Sequence, residues 1–284
     1  MELRKVKKTV QGHHTVDGAG VHLVRVLGIS TVYDYDPFLM LDSFDSENPE
    51  DYIKGFPFHP HRGIETITYL IEGKIEHQDS LGNKGVIQSG QSQWMTAGSG
   101  IMHQEMPAAV PKLLGVQIWL NLPKKQKMAE PTYFDITGED IVCVDKPYGK
   151  VKVLSGNFDT AKGVKPPHIE ATIIDFLLNP GQSVTIPTNK GENCFIFTIV
   201  GPAYSQGELY PAKTAVLFEM EGDAIEVTAP KETASRFIFF EGKPLGESIS
   251  WGGPIVMNTD EELREAFVEL ETGKFIKHKA GHYK

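Results

Sequence analysis

Two histidines stand one residue apart in GFPFHPHRGIETITYLIEG, residues 55–73, as His59 and His61. Further along, GSGIMHQEMP offers His103 and Glu105 at the same interval. Side chains alternate across a strand, so positions i and i+2 share a face. His59 and His61 therefore point together with Pro60 turned away, and His103 and Glu105 point together with Gln104 turned away. Pro60 also marks a strand start or an edge, because it has no N–H to give to a ladder. If the two segments lie side by side in a closed barrel, three imidazoles and a carboxylate converge. Such a nitrogen–oxygen donor set without thiolate suits one divalent transition ion, among Fe(II), Mn, Ni, Co, Cu or Zn, and disfavours Ca or Mg. Counting by twos from His61 reaches Gly63 and then Glu65, so parity supplies a second inward carboxylate. Glu65 and Glu105 are each eligible as a ligand or as a group that orients a ligating imidazole. Spacing does not choose between them. Four protein ligands on a six-coordinate ion leave two positions for substrate and O₂. A closed four-ligand zinc would be structural, and a chain of 284 residues needs no such staple to fold.

The elements that must position these groups read as strands. GVHLVRVLG (20–28), DPFLMLDSF (36–44), IETITYLIEG (64–73) and LLGVQIWLNLP (113–123) are short and apolar, bounded by Gly, Pro, Asn or Asp. Their spacing argues for a sandwich or barrel over βαβ units. The apolar rhythm lapses in PKKQKMAEPTYFDITGED (123–140), which reads as a linker. A second series follows, with ATIIDFLLNPG, CFIFTIVG and RFIFFEG, and repeats the rhythm of the first half. The expected division is 1–134 for an N-terminal metal-binding barrel. Residues 135–284 would form a C-terminal barrel with a short helix over 258–270, capped by Thr259.

Composition narrows the function. The net charge of −9 disfavours direct nucleic-acid binding, which needs a basic face. No apolar run approaches the ~20 residues of a membrane helix. Two cysteines, Cys143 and Cys194, make no disulfide framework, so a reducing cytoplasm is the expected compartment.

The segments DPFLMLDSF, GFPFHPHRGIETITYLIEG, QWMTAGSGIMHQEMP, QIWLNLP and GGPIVMNTDEEL together resemble the pirin family of bicupins, from Asp36 to about Leu263. The resemblance implies an all-β bicupin of two stacked double-stranded β-helix (jelly-roll) barrels. It implies one iron held by His59, His61, His103 and Glu105, with Glu65 beside the ligands. In the second half the ligand-equivalent regions would be IPTNKGENCFIF and ASRFIFFEG, which contain no histidine, so no metal is expected there. His168 is read as structural or exposed. Some pirins are similar to quercetin 2,3-dioxygenases, which open a flavonol ring with O₂. Others act as iron-dependent cofactors that bind a transcription regulator and not DNA. The first implies a small aromatic substrate and O₂, with Glu105 or Glu65 taking the proton of the flavonol hydroxyl. The second implies a protein partner without catalysis. By parity Ile67, Tyr69 and Ile101 would face the pocket, with Trp94 or Met95 near its mouth.

Overall fold

The computed structural model describes residues 1–278 and is built almost wholly of strands. In chain order these begin with β1 (Val6–Gln11), β2 (His13–Asp17), β3 (Val21–Leu27), β4 (Phe38–Ser46), β5 (Phe56–His61) and β6 (Ile64–Glu72). There follow β7 (Lys74–Asp79), β8 (Lys84–Gln88), β9 (Ser92–Thr96), β10 (Ile101–Pro107), β11 (Leu113–Asn121) and β12 (Thr132–Ile136). The second series is β13 (Val142–Lys146), β14 (Gly149–Ser155), β15 (Asn157–Phe158), β16 (Ala161–Lys162), β17 (Thr172–Leu178), β18 (Ser183–Pro187) and β19 (Asn193–Val200). It continues through β20 (Ala203–Ser205), β21 (Glu208–Tyr210), β22 (Thr214–Phe218), β23 (Ala224–Thr228) and β24 (Ser235–Gly242). A hairpin of β25 (Ser250–Gly252) and β26 (Ile255–Met257) precedes the helix α1 (Asp260–Glu271).

Two compact units result. The first gathers His14–Arg25, Phe38–Thr137 and the segment from Leu245 on; the second gathers Met1–His13, Val26–Pro37 and Gly138–Pro244. Each has the same plan. In the first, a seven-stranded sheet runs β12-β9-β6-β11-β4-β3-β2 and a four-stranded sheet runs β5-β10-β7-β8. In the second, the orders are β1-β22-β19-β24-β17-β14-β13 and β18-β23-β20-β21. The cupin pattern of paired sheets is thus present twice, as the repeated rhythm of the sequence indicates.

A linear cut after residue 134 does not describe these units. β1 pairs with β22, Val10 opposite Ala215, and holds the edge place that β12 holds in the first unit. β12 itself pairs with β9 through Ile136. The helix belongs to the first unit. Its Leu263, Phe267 and Leu270 pack with Ile255, Met257 and Phe275. Its start is fixed by a capping box: Glu262 N–H donates to Thr259 Oγ1 at 3.2 Å and Thr259 N–H to Glu262 Oε2 at 3.0 Å.

The two sheets of the first unit face each other, and the alternation of β10 shows how. Ile101, His103, Glu105 and Pro107 are buried, while Met102, Gln104 and Met106 reach outward. The core at one end of this unit is apolar, with Leu23, Phe44, Leu70, Ile75 and Leu113. In the second unit the strands matching β5 and β10 are β18 and β23. Val184, Ile186, Ile225 and Val227 occupy their inward positions and pack against Phe176 and Phe237. The residues that replace the His and Glu pairs are therefore these four aliphatics, of which only Ile186 falls in the segments 186–197 and 234–242; the remainder of those segments supplies most of β19 and β24. Aliphatic side chains offer no ligand atom.

Candidate metal centre

β5 and β10 run antiparallel, with His59 opposite His103 and Ile101 opposite His61. Cross-strand partners share a face, so the pairing brings three imidazoles together. One ligand atom from each of His59, His61 and His103 lies within 4.8 Å of the others. The rings of His59 and His103 are 4.4 Å apart and those of His61 and His103 are 5.0 Å apart. His61 and His103 are buried, whereas His59 is half-buried at the rim.

The hydrogen bonds assign the tautomers. His59 Nδ1 lies 2.9 Å from the Pro57 carbonyl and His61 Nδ1 3.0 Å from the Pro254 carbonyl. A carbonyl only accepts, so each Nδ1 carries the proton and each Nε2 presents a lone pair. Those two Nε2 atoms are 3.0 Å apart. Two lone pairs at that distance repel unless a proton or a metal cation lies between them. Two ligands at right angles, each about 2.1 Å from an ion, would lie about 3.0 Å apart. Both ring nitrogens of buried His103 have no hydrogen-bond partner. Burial, with His59 adding to it, pushes the His61 pKa down to about 3. Burial, with the neighbouring histidines adding to it, holds His103 well below the usual histidine range. His61 and His103 are thus neutral, the form in which an imidazole binds metal. This donor set fits a divalent transition ion.

Glu105 lies on the same wall but outside that trio. Its Oε1 accepts from Thr68 Oγ1 at 2.9 Å and from Gln93 Nε2, and its Oε2 accepts from Gln117 Nε2 at 2.5 Å. Three donors fix its plane. The donors come from β6, β9 and β11, so the seven-stranded sheet holds a group that the four-stranded sheet presents.

Glu65 departs from the sequence expectation. Thr68 faces Glu105, so Glu65, three positions earlier on β6, faces the other way. There it accepts from Thr96 Oγ1 at 2.8 Å. Parity fails because the chain changes sheets between β5 and β6. Gly63 takes φ +76 at that corner, where an added Cβ would meet the Val256 carbonyl oxygen at 2.0 Å. Ile67 and Tyr69 follow Glu65 to the far face. Trp94 does likewise, since its neighbour Gln93 is the one that reaches Glu105. Met95 and Ile101 keep the site-facing parity.

Several residues around the centre escaped the sequence reading. His77 and Asp79 on β7 are buried; His77 pairs with Glu105 and Asp79 with His103 across the ladder. Their alternate spacing in KIEHQD is the same signal as in the ligand pairs. Trp119, two residues beyond Gln117, sets its ring edge-on to His61 at 4.9 Å, and Trp251 lies 5.8 Å from Trp119. Arg62, directly after His61, donates to Ser99 O at 2.8 Å, to Glu269 Oε2 at 2.7 Å and to Phe275 O at 3.0 Å. Its side chain fastens the C-terminal segment, and its backbone carbonyl accepts from Val256 N–H at 3.1 Å, two residues beyond the Pro254 carbonyl that meets His61.

Residues 20–120 match the family model of pirin and residues 173–276 that of the pirin C-terminal cupin domain. The chain belongs to the pirin family. A pirin-like protein of Caulobacter vibrioides is 39% identical over 279 residues, covering 97% of this chain and 100% of that one. Human pirin is 38% identical over 280 residues, covering 95% of this chain and 93% of its own. Among solved structures, quercetin 2,3-dioxygenase from Acinetobacter baumannii matches with a TM-score of 0.89 at 30% identity, covering 98% of this chain and 100% of that one. Among the described residues of this pirin, no helix is long and apolar enough to cross a membrane.

Proposed function

We propose that this pirin is a metal-dependent dioxygenase that opens a flavonol-type ring with O₂, using Fe(II) held by His59, His61, His103 and Glu105. The observation that carries the reading is the pair of opposed imidazole lone pairs beside a buried, partnerless His103, in a fold shared with a quercetin 2,3-dioxygenase. When bound, the ion would acidify a coordinated hydroxyl and bring it beside O₂. The protein's own groups supply the rest. Glu105 is the carboxylate placed to receive the substrate hydroxyl proton, and its three donors hold it in position. Trp119 and Trp251 provide aromatic faces on which a flat ring packs. The two free cysteines, Cys143 exposed and Cys194 buried, accord with a cytoplasmic setting.

The test loads the protein with Fe(II) anaerobically, adds quercetin, admits air, and follows loss of flavonol absorbance together with CO release. Turnover that requires the ion supports the proposal. Absence of turnover with Fe, Mn, Ni, Co and Cu, with the ion shown to be bound, sinks the catalytic part. It would leave a metal-holding protein that acts by binding a partner.

The donors to Glu105 give a smaller prediction. Gln117→Leu removes one of its three hydrogen bonds. Metal affinity is expected to fall about 10–100-fold, the usual cost of losing a group that orients a ligand. A chelator competition measures it. Unchanged affinity would show that Glu105 is not a ligand.

A further inference from the structure

A second line of side chains leads away from His103 on the side of β7. The His77 ring lies 5.3 Å from that of His103, and Tyr133 of β12 stacks on His77 at 4.0 Å and 15°. The Tyr133 hydroxyl lies 2.5 Å from Asp135 Oδ1 and 3.1 Å from Gln93 Oε1. A phenol has one proton. The carboxylate is the stronger acceptor and the closer one, so the O–H points at Asp135. The pair sits against β8 only because residue 85 is glycine. A Cβ there would lie 2.0 Å from the Tyr133 hydroxyl oxygen and 2.9 Å from Asp135 Oδ1. Burial and Asp135 hold the phenol's ionisation far above its ordinary range. Tyr133 therefore does not lose its proton alone. An oxidised phenol, in contrast, is a strong acid, and here a base already touches its hydroxyl. Asp135 is only partly buried, so the proton it receives has a route to solvent.

We infer that Tyr133 is a redox-active residue that gives one electron, by way of His77 and His103, to the metal centre while its hydroxyl proton passes to Asp135. The inference rests on the metal-centre reading but not on the flavonol reaction. The oxidant is a hydroperoxide, with hydrogen peroxide as the simplest case. Its O–O bond breaks on taking two electrons, one from Fe(II) and one from Tyr133. With two protons from solvent it leaves as two water molecules. The iron ends ferric, Tyr133 ends as a neutral phenoxyl radical, and Asp135 ends protonated. Two one-electron donors thus reduce the peroxide fully, and no hydroxyl radical is set free among the histidines.

The experiment uses the whole chain loaded anaerobically with one Fe(II), mixed with hydrogen peroxide and frozen for electron paramagnetic resonance. A tyrosine radical is expected, with hyperfine splitting that changes when the protein is grown on ring-deuterated tyrosine. The signal should fall to background in Tyr133→Phe, which keeps the ring stacked on His77, and should weaken in Asp135→Asn, which removes the proton acceptor. In metal-free protein, ultraviolet titration should show one phenol ionising more readily in Asp135→Asn than in the wild type. A merely structural tyrosine would produce no radical. Iron-loaded wild type without a tyrosine radical overturns the inference, as does a radical that persists in Tyr133→Phe. If Tyr133→Phe does not fold, a deuterium-sensitive radical indifferent to Asp135→Asn overturns it. Failure to bind iron would remove this inference and the metal-centre reading together. A radical without quercetin turnover would leave this inference standing and sink only the dioxygenase.

Discussion

His103→Leu is expected to abolish metal binding and yet make the metal-free protein more stable. His103 is buried with both ring nitrogens partnerless. A buried polar group without a hydrogen bond costs about 1–3 kcal/mol. Leucine is of similar bulk and has no polar atom, so it removes that cost without opening a cavity. The expected gain is about 1–2 kcal/mol at pH 7, read from urea midpoints of metal-free samples. Iron stoichiometry should fall to near zero. Loss of the ion's several kcal/mol of transition-state stabilisation would lower any metal-dependent turnover about a thousand-fold or more. His61→Leu is the control. It loses the ion too, but leaves the Pro254 carbonyl without its donor and should be less stable than His103→Leu. A His103→Leu protein that unfolds more readily than wild type would show that the imidazole is a packing residue and not a ligand in waiting. The trade is that of a functional site, where stability is given up for chemistry.

The His59–His61 and His103–Glu105 pairs are legible in the sequence because their signal is local. Two residues one apart on a strand share a face whatever the rest of the chain does. Glu65 was misread for the complementary reason: parity holds within a strand and is lost at a corner, and nothing local in HRGIE reveals that β5 and β6 lie in different sheets. The same limit hid the edge strand of the second unit. The basic segment VKKTVQ carries no mark of which sheet receives it, and β1 pairs across more than two hundred residues with β22. TYFDI reads as linker because proline and charge surround it. Its Tyr133 and Asp135 face the site only because β12 is registered on β9. His77 and Asp79, by contrast, lie open to the same parity argument that pairs His59 with His61 and His103 with Glu105. Gln93, Gln117 and Thr68 could be found only through their shared contact with Glu105, and such a contact is a property of the folded barrel.

Acid should unfold the metal-free protein well before its carboxylates alone would require. Burial is the main cause that depresses His61 to about 3 and His103 well below its ordinary value; the neighbouring histidines add to it, and the Pro254 carbonyl opposes it at His61. In the unfolded chain both titrate near about 6.5. Between those limits the unfolded state binds protons that the folded state refuses, so stability rises with pH there. His61's share is whole well above about 6.5 and is lost as pH falls toward about 3, and His103's share is lost in the same direction. At no more than about 1.4 kcal/mol per pH unit, His61 alone removes roughly 1.6 kcal/mol between pH 6.5 and 5, and His103 adds to that loss. Against a typical stability of about 5–15 kcal/mol this is a sizeable loss. Urea titrations at the two pH values measure the loss. The His103→Leu variant should lose less over the same interval, because one of the two proton-refusing groups is gone. Saturating metal should flatten the upper part of the curve, since the ion binds only the neutral rings. Equal slopes in wild type and His103→Leu would mean that the buried imidazoles take up protons in the folded state. The site would then have to open in acid while the rest of the barrel stays closed.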